Sequence, residues 1–197
     1  EKEFKYFAVL ENDEIWMSVI PHEINTMKQP IKNATGDVLV LGLGLGYYVF
    51  NILSKKDVKL VEIQRSRGYS SRLSLTIKQI EDVIKAIRSI NEDVIIMVDN
   101  CYGELVETKE PGHVGANIVV GSLMKNLGGG VASTGGYVAG DKKLIHEVAE
   151  RLTAPGIAKE LGANFNQINS FLKGIFMAPS AVKNAVKTQM FAAYMLE

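Results

Sequence analysis

Val94-Ile95-Ile96-Met97-Val98-Asp99-Asn100 and Asn117-Ile118-Val119-Val120-Gly121-Ser122-Leu123-Met124-Lys125-Asn126 decide the fold of this chain. Each opens as an unbroken apolar run and closes on polar residues, the pattern of a strand buried on both faces. Asp37 to Leu41 and Val58 to Ile63 read the same way. Between the strands lie helical patterns. Ile77, Ile80, Val83, Ile84 and Ile87 follow helical spacing from Thr76, with Ser74 or Thr76 as the cap. Tyr47 to Ser54 and Asp141 to Leu152 are further helices, and more helix follows to the C-terminus. Gly136-Tyr137-Val138-Ala139-Gly140 is a short strand between glycines. At the front, Phe7 to Leu10 and Ile15 to Val19 flank Glu11-Asn12-Asp13-Glu14 as a β-hairpin, and His22 to Asn33 is a helix limited or kinked by Pro30. Strands alternating with helices predict an α/β fold. Its mostly parallel sheet carries helices on both faces, in a Rossmann-like three-layer sandwich.

Composition narrows the class. The 197 residues are 47% hydrophobic and 22% charged with net charge zero, so no long-range field recruits nucleic acid or an anionic membrane. No apolar run reaches the roughly 18 residues of a membrane span. A single cysteine, Cys101, excludes an internal disulfide and a cysteine zinc cluster, and fits a cytoplasmic setting. Lys55-Lys56 and Lys142-Lys143 read as solvated helix ends. Opening at Glu1 instead of methionine, the chain reads as a piece of a longer protein.

The two polar strand ends carry chemistry. Pyridoxal 5'-phosphate (PLP) needs a lysine to form the internal aldimine, a carboxylate to keep the pyridine nitrogen protonated, and neutral donors for its phosphate. Lys125, between a buried strand and glycines, suits the first role. Asp99 suits the second, because the end of a parallel strand opens on the crevice where α/β sheets bind ligands. Ser122, three residues before Lys125, suits the third. The bland alternative is a solvated Lys125 and an Asp99 that caps a helix. Cys101 reads as a packed small residue, and His22, His113 and His146 as structural or solvated. Arg65, Arg67 and Tyr69 follow a strand end, where they reach either a phosphate or carboxylate ligand or their own salt bridges. No metal site is expected.

Four motifs occur in order: Gln64-Arg65-Ser66-Arg67-Gly68-Tyr69-Ser70; Val98-Asp99-Asn100-Cys101-Tyr102-Gly103-Glu104; Gly121-Ser122-Leu123-Met124-Lys125-Asn126 with Gly128-Gly129-Gly130; and Arg151-Leu152-Thr153-Ala154-Pro155-Gly156. With them, residues 64–197 resemble the aluminium-resistance, or methionine γ-lyase-like, family of fold-type I PLP enzymes. The resemblance implies PLP on Lys125, Asp99 beside the pyridine nitrogen and Ser122 at the phosphate. It further implies carbon–sulfur lyase chemistry on a sulfur-containing amino acid, and a homodimer. Leu127 stands where family members often carry proline. The family's own N-terminal phosphate loop, with the aromatic that stacks on the pyridine ring, has no counterpart in this chain.

A second signature lies upstream. Gly42, Gly44 and Gly46 follow a predicted strand and precede a helix, where backbone amides approach a nucleoside ligand. Residues 6–60, with Trp16, Pro21-His22-Glu23-Ile24-Asn25-Thr26-Met27 and Val38 to Tyr47, resemble the opening of an S-adenosylmethionine (AdoMet)-dependent methyltransferase-like family. That resemblance implies AdoMet at the glycine loop, with Glu62 the nearest acidic residue for the ribose. The two resemblances meet near Val58 to Gln64. The expectation is therefore a chimera packed as one α/β domain, residues 1–62 methyltransferase-like and 63–197 PLP-type: a PLP-binding lyase-like protein, an AdoMet-binding methyltransferase-like domain, or an inert scaffold.

Overall fold

A computed structural model describes residues 8–11, 14–36, 47–53, 55, 58–68, 73–160, 162 and 165–196. The expected strand at Asp37 to Leu41, the glycine loop of Gly42, Gly44 and Gly46, and Tyr69 lie outside the described residues.

The chain is α/β. Strands β1 (Ala8–Glu11) and β2 (Glu14–Ser18) pair antiparallel. A mostly parallel four-stranded sheet has the order β3 (Leu60–Gln64), β4 (Ile95–Asp99), β5 (Ile118–Ser122) and β6 (Gly136–Gly140). The pair β4–β5 is parallel, with Asp99 beside Val120; β5–β6 is antiparallel, with Ser122 beside Gly136. The described helices are α1 (Pro21–Asn33), α2 (Tyr47–Leu53), α3 (Ile77–Ile90), α4 (Lys142–Leu152) and α5 (Ile168–Leu196).

Two compact units divide the chain, Glu1–Ile63 with Lys85–Ile95, and Gln64–Ile84 with Ile96–Glu197. In the first, Ile52, Leu53, Val58, Val61, Ile63, Ile87 and Val94 are buried. Helix α1 runs through Pro30 and closes with the Ala34 N–H on Pro30 O. Lys55 is not a solvated helix end: its Nζ donates to the carbonyls of Ile31, Lys32 and Ala34 at 2.7, 2.9 and 2.5 Å. The last carbonyls of a helix lack intrahelical donors and carry the negative end of its dipole, so an ammonium is drawn there.

In the second unit, Thr76 and Gln79 open α3 with a reciprocal cap. The Gln79 N–H donates to Thr76 Oγ1 at 3.2 Å, and the Thr76 N–H to Gln79 Oε1 at 2.9 Å. Ile77, Ile80 and Ile84 are buried in one stripe, each side chain contributing roughly 1.5–3 kcal/mol when fully buried. Lys78 reaches Asp82 at 2.6 Å on the exposed face.

Helix α5 meets the loop after β5 through its small residues, Gly174, Ala178 and Val182, all buried. Contact there is backbone to backbone: a Cβ on Gly174 would lie 2.6 Å from Gly128 O. Gly174→Val is therefore expected to destabilise the fold by about 2 kcal/mol through overpacking, although valine is no worse a helix former than glycine. A urea melt checks it; unchanged stability would mean that α5 does not seat on this loop.

Candidate active site

The polar ends of β4 and β5 are adjacent because the strands are parallel neighbours. At the end of β4, Asp99 Oδ1 accepts the Cys101 N–H at 3.0 Å, so the carboxylate turns the chain locally and caps no helix. At the end of β5, Ser122 Oγ accepts the Met124 N–H at 3.1 Å and Ser122 O accepts the Lys125 N–H at 3.3 Å. The Ser122 hydroxyl hydrogen is left for another acceptor. Lys125 precedes a short 3-10 turn, Asn126–Gly128, closed by Gly129 at φ 55°. Asn126 Nδ2 donates to Glu104 O at 2.9 Å and ties the two loops together.

Lys125 Nζ stands 4.3 Å from the centre of the Tyr102 ring. Burial, the largest influence on this amine, works to lower its pKa. It is outweighed by the hydrogen bond with Cys101 and by the charges of Cys101, Tyr102 and Asp99, which together hold the pKa above the ordinary lysine value. Cys101 is thus more than packing. Burial pushes its thiol pKa up, the Asp99 hydrogen bond adds to this, and Lys125 opposes it. A cavity of about 410 Å³ lies along Tyr102, Met124, Lys125, Asn126, Gly129 and Gly130.

Arg65 settles the question left open by its motif. Its side chain is buried, with Nη1 donating to Asn100 Oδ1 (2.7 Å) and Gly103 O (2.9 Å). Nη2 pairs with Glu107 Oε1 (2.7 Å), and Nε donates to Leu75 O (3.2 Å). It is an internal brace, with four of its five N–H groups engaged inside the protein, whereas Arg67 is exposed. His113 accepts the Glu110 N–H through Nδ1 at 3.1 Å, and His146 lies 3.6 Å from Glu150, so both histidines serve local structure.

Sequence reasoning missed Glu104. Its side chain is 2% exposed, Oε1 accepts the Tyr137 hydroxyl at 2.9 Å, and Oε2 has no partner among the described residues. Burial pushes its carboxyl pKa upward, against the backbone and Tyr137 hydrogen bonds and with help from Glu110 and Asp99. A folded-state pKa raised above the unfolded one gives stability that is complete below the ordinary glutamate range. That stability is lost as pH rises through the folded value. Glu104→Gln, uncharged throughout, should therefore gain stability over the parent as pH rises from the ordinary glutamate range toward neutrality. Urea melts across that window read the difference, and a constant difference would mean that Glu104 titrates normally.

The family model for methionine gamma-lyase matches residues 47–197. The chain belongs to the methionine gamma-lyase family. Among solved members' structures, a candidate cystathionine beta-lyase involved in aluminium resistance from Clostridium acetobutylicum is 52% identical. The match has a TM-score of 0.64 over 67% of this chain and 32% of that one. A second such protein, from Listeria monocytogenes, is 47% identical with a TM-score of 0.70, over 75% of this chain and 37% of that one. An uncharacterized 33.9 kDa protein of Lactobacillus delbrueckii subsp. bulgaricus is 38% identical, over 88% of this chain and 61% of that protein. The chain thus spans about a third of the length of these solved structures.

Family membership supports the PLP-type part of the expectation and gives the chimera no support. The methionine gamma-lyase match begins at Tyr47, inside the segment assigned to a methyltransferase-like piece. The Lactobacillus relative leaves too little of the chain uncovered for its match to begin beyond the supposed join at 58–64. Nothing in these matches supports a methyltransferase or an AdoMet site at Gly42, Gly44 and Gly46. Among the described residues, no helix is long and apolar enough to cross a membrane.

Proposed function

We propose that this chain carries the cofactor-attachment lysine and the strand-end floor of a PLP site, in a carbon–sulfur lyase acting on small sulfur-containing amino acids. What carries the reading is the convergence of an amine, a carboxylate and a hydroxyl, those of Lys125, Asp99 and Ser122, at the ends of two adjacent parallel strands. These are the three group types PLP requires, and Lys125 among them borders a cavity walled by the Lys125–Gly130 loop. The donor set fits the cofactor.

PLP, when covalently held, supplies an electron sink for the bonds around a substrate α-carbon. The roles of the chain's own groups follow from their chemistry. Lys125 Nζ attaches the cofactor and afterwards carries a proton to and from the α-carbon. Asp99 keeps a proton on the pyridine nitrogen, a task for which an ionised carboxylate is suited. The Ser122 hydroxyl donates to a phosphate oxygen, since its lone pair already holds the Met124 N–H. Catalysis by the whole protein, its amino-acid substrate and a homodimeric assembly are part of this proposal.

The test is a titration with PLP followed by visible absorption. A new saturable band, stronger toward alkaline pH because the Lys125 amine is held protonated below its raised pKa, is the expected result. No band at saturating PLP would remove the proposal.

A further inference from the structure

Tyr102 has a left-handed backbone, φ 68°, although it is neither glycine nor asparagine. That conformation is strained for an aromatic residue and persists only where the surroundings enforce it. Here they do so on both sides. Asp99 Oδ1 holds the Cys101 N–H, and the Gly103 N–H donates to Asn100 O at 2.8 Å. Arg65 Nη1 grips Asn100 Oδ1 and Gly103 O at once, and a Cβ on Gly103 would collide with the guanidinium. Glycine stands at 103, where packing demands it, and tyrosine at 102, where glycine would relieve the strain.

Hydrophobic burial does not account for the choice, since Tyr102 is 62% exposed. The specific contact its ring makes is with Lys125, whose Nζ lies 4.3 Å from the ring centre, well inside cation–π range. The ring also borders a second cavity of about 450 Å³, lined by Arg65, Ser66, Thr76 and Cys101. Tyr102 therefore borders two hollows near the strand ends.

We infer that Tyr102 is a positioning residue for Lys125: the Arg65-braced turn holds its ring face under the amine and fixes that amine over the ends of β4 and β5. The inference rests on the PLP reading for its purpose and on cofactor-free geometry for its evidence. Strain at Tyr102 is retained because the ring is needed where only that backbone can put it.

The experiment needs no cofactor. Lys125 in the full chain is acylated with acetic anhydride across a pH series, and its extent of labelling is read by peptide mass spectrometry. The parent and Tyr102→Phe, which keeps the ring face, should label with nearly the same midpoint. Tyr102→Leu should shift the midpoint down by about half a pH unit, making Lys125 roughly threefold more reactive below it. Tyr102→Gly should give the same labelling shift while raising Tm by about 2 °C through release of strain. A Leu variant that labels like the parent overturns the inference, as does a Gly variant with a lower Tm. Failure to bind PLP would instead remove the proposed function and leave these labelling results standing, so the two outcomes are distinguishable.

Discussion

Lys125→Ala should abolish covalent attachment of PLP while leaving the fold almost untouched. After incubation with PLP and reduction with borohydride, the parent should carry one stable cofactor adduct and the variant none. The loss is complete because no other group at the strand ends can form the bond: Asp99 is a carboxylate, Ser122 a hydroxyl, and the Cys101 thiol gives no adduct that borohydride fixes. Stability should change little, because the Lys125 side chain makes a cation–π contact at a partly exposed site, an interaction of about 0.5–1 kcal/mol. Retained adduct in the variant would show that another lysine takes the cofactor. A large fall in Tm would show that Lys125 is chiefly structural.

Arg65→Met should have the opposite profile. Methionine approximates the length of the arginine stem and supplies none of its donors. The substitution removes the arginine donors to Asn100 Oδ1, Gly103 O and Leu75 O and leaves Glu107 without its closest cation. Removing one partner of a buried ion pair costs about 3–5 kcal/mol, and Glu107, more than a third exposed, recovers part of this through water. A loss of about 3 kcal/mol is expected, read as a fall in the urea midpoint. Arg65→Lys should recover only a fraction, since an ammonium cannot reproduce the forked geometry of the guanidinium. A loss below about 1 kcal/mol would contradict the bracing role and would weaken the account of the Tyr102 turn as well.

These two cations show what a local pattern can suggest and where it stops. Lys125 could be singled out as a candidate because its setting is local: an apolar strand, a serine three residues earlier and glycines just after it. The same locality made α3 legible, from its isoleucine spacing and a cap at Ser74 or Thr76, and made β4 and β5 legible as unbroken apolar runs. Arg65 was left open between a ligand and its own salt bridges, because its side-chain partners Asn100 and Glu107 lie 35 and 42 residues ahead and a charged residue close to Arg67 has the look of a surface ligand-binder. Glu104 and Tyr137, 33 residues apart, meet only through the folding of the chain. Lys55, which caps α1 from 21 to 24 residues away, is the same case on a smaller scale. The supposed join at Val58 to Gln64 gains no support from the matches, and its basis in the sequence was weak for a related reason. A buried parallel strand has the same apolar pattern in any α/β family, so no pattern within β3 distinguishes a seam from an ordinary strand.

On the proposed function, one lysine of this chain, Lys125, holds the cofactor. Digestion of the unmodified protein after PLP incubation and borohydride reduction, with the adduct located by peptide mass spectrometry, tests it most directly. The account predicts the adduct on the peptide containing Ser122-Leu123-Met124-Lys125, at Lys125 and at stoichiometric yield. Adduct spread over exposed lysines such as Lys78 and Lys143, with Lys125 no more labelled than they are, would contradict it.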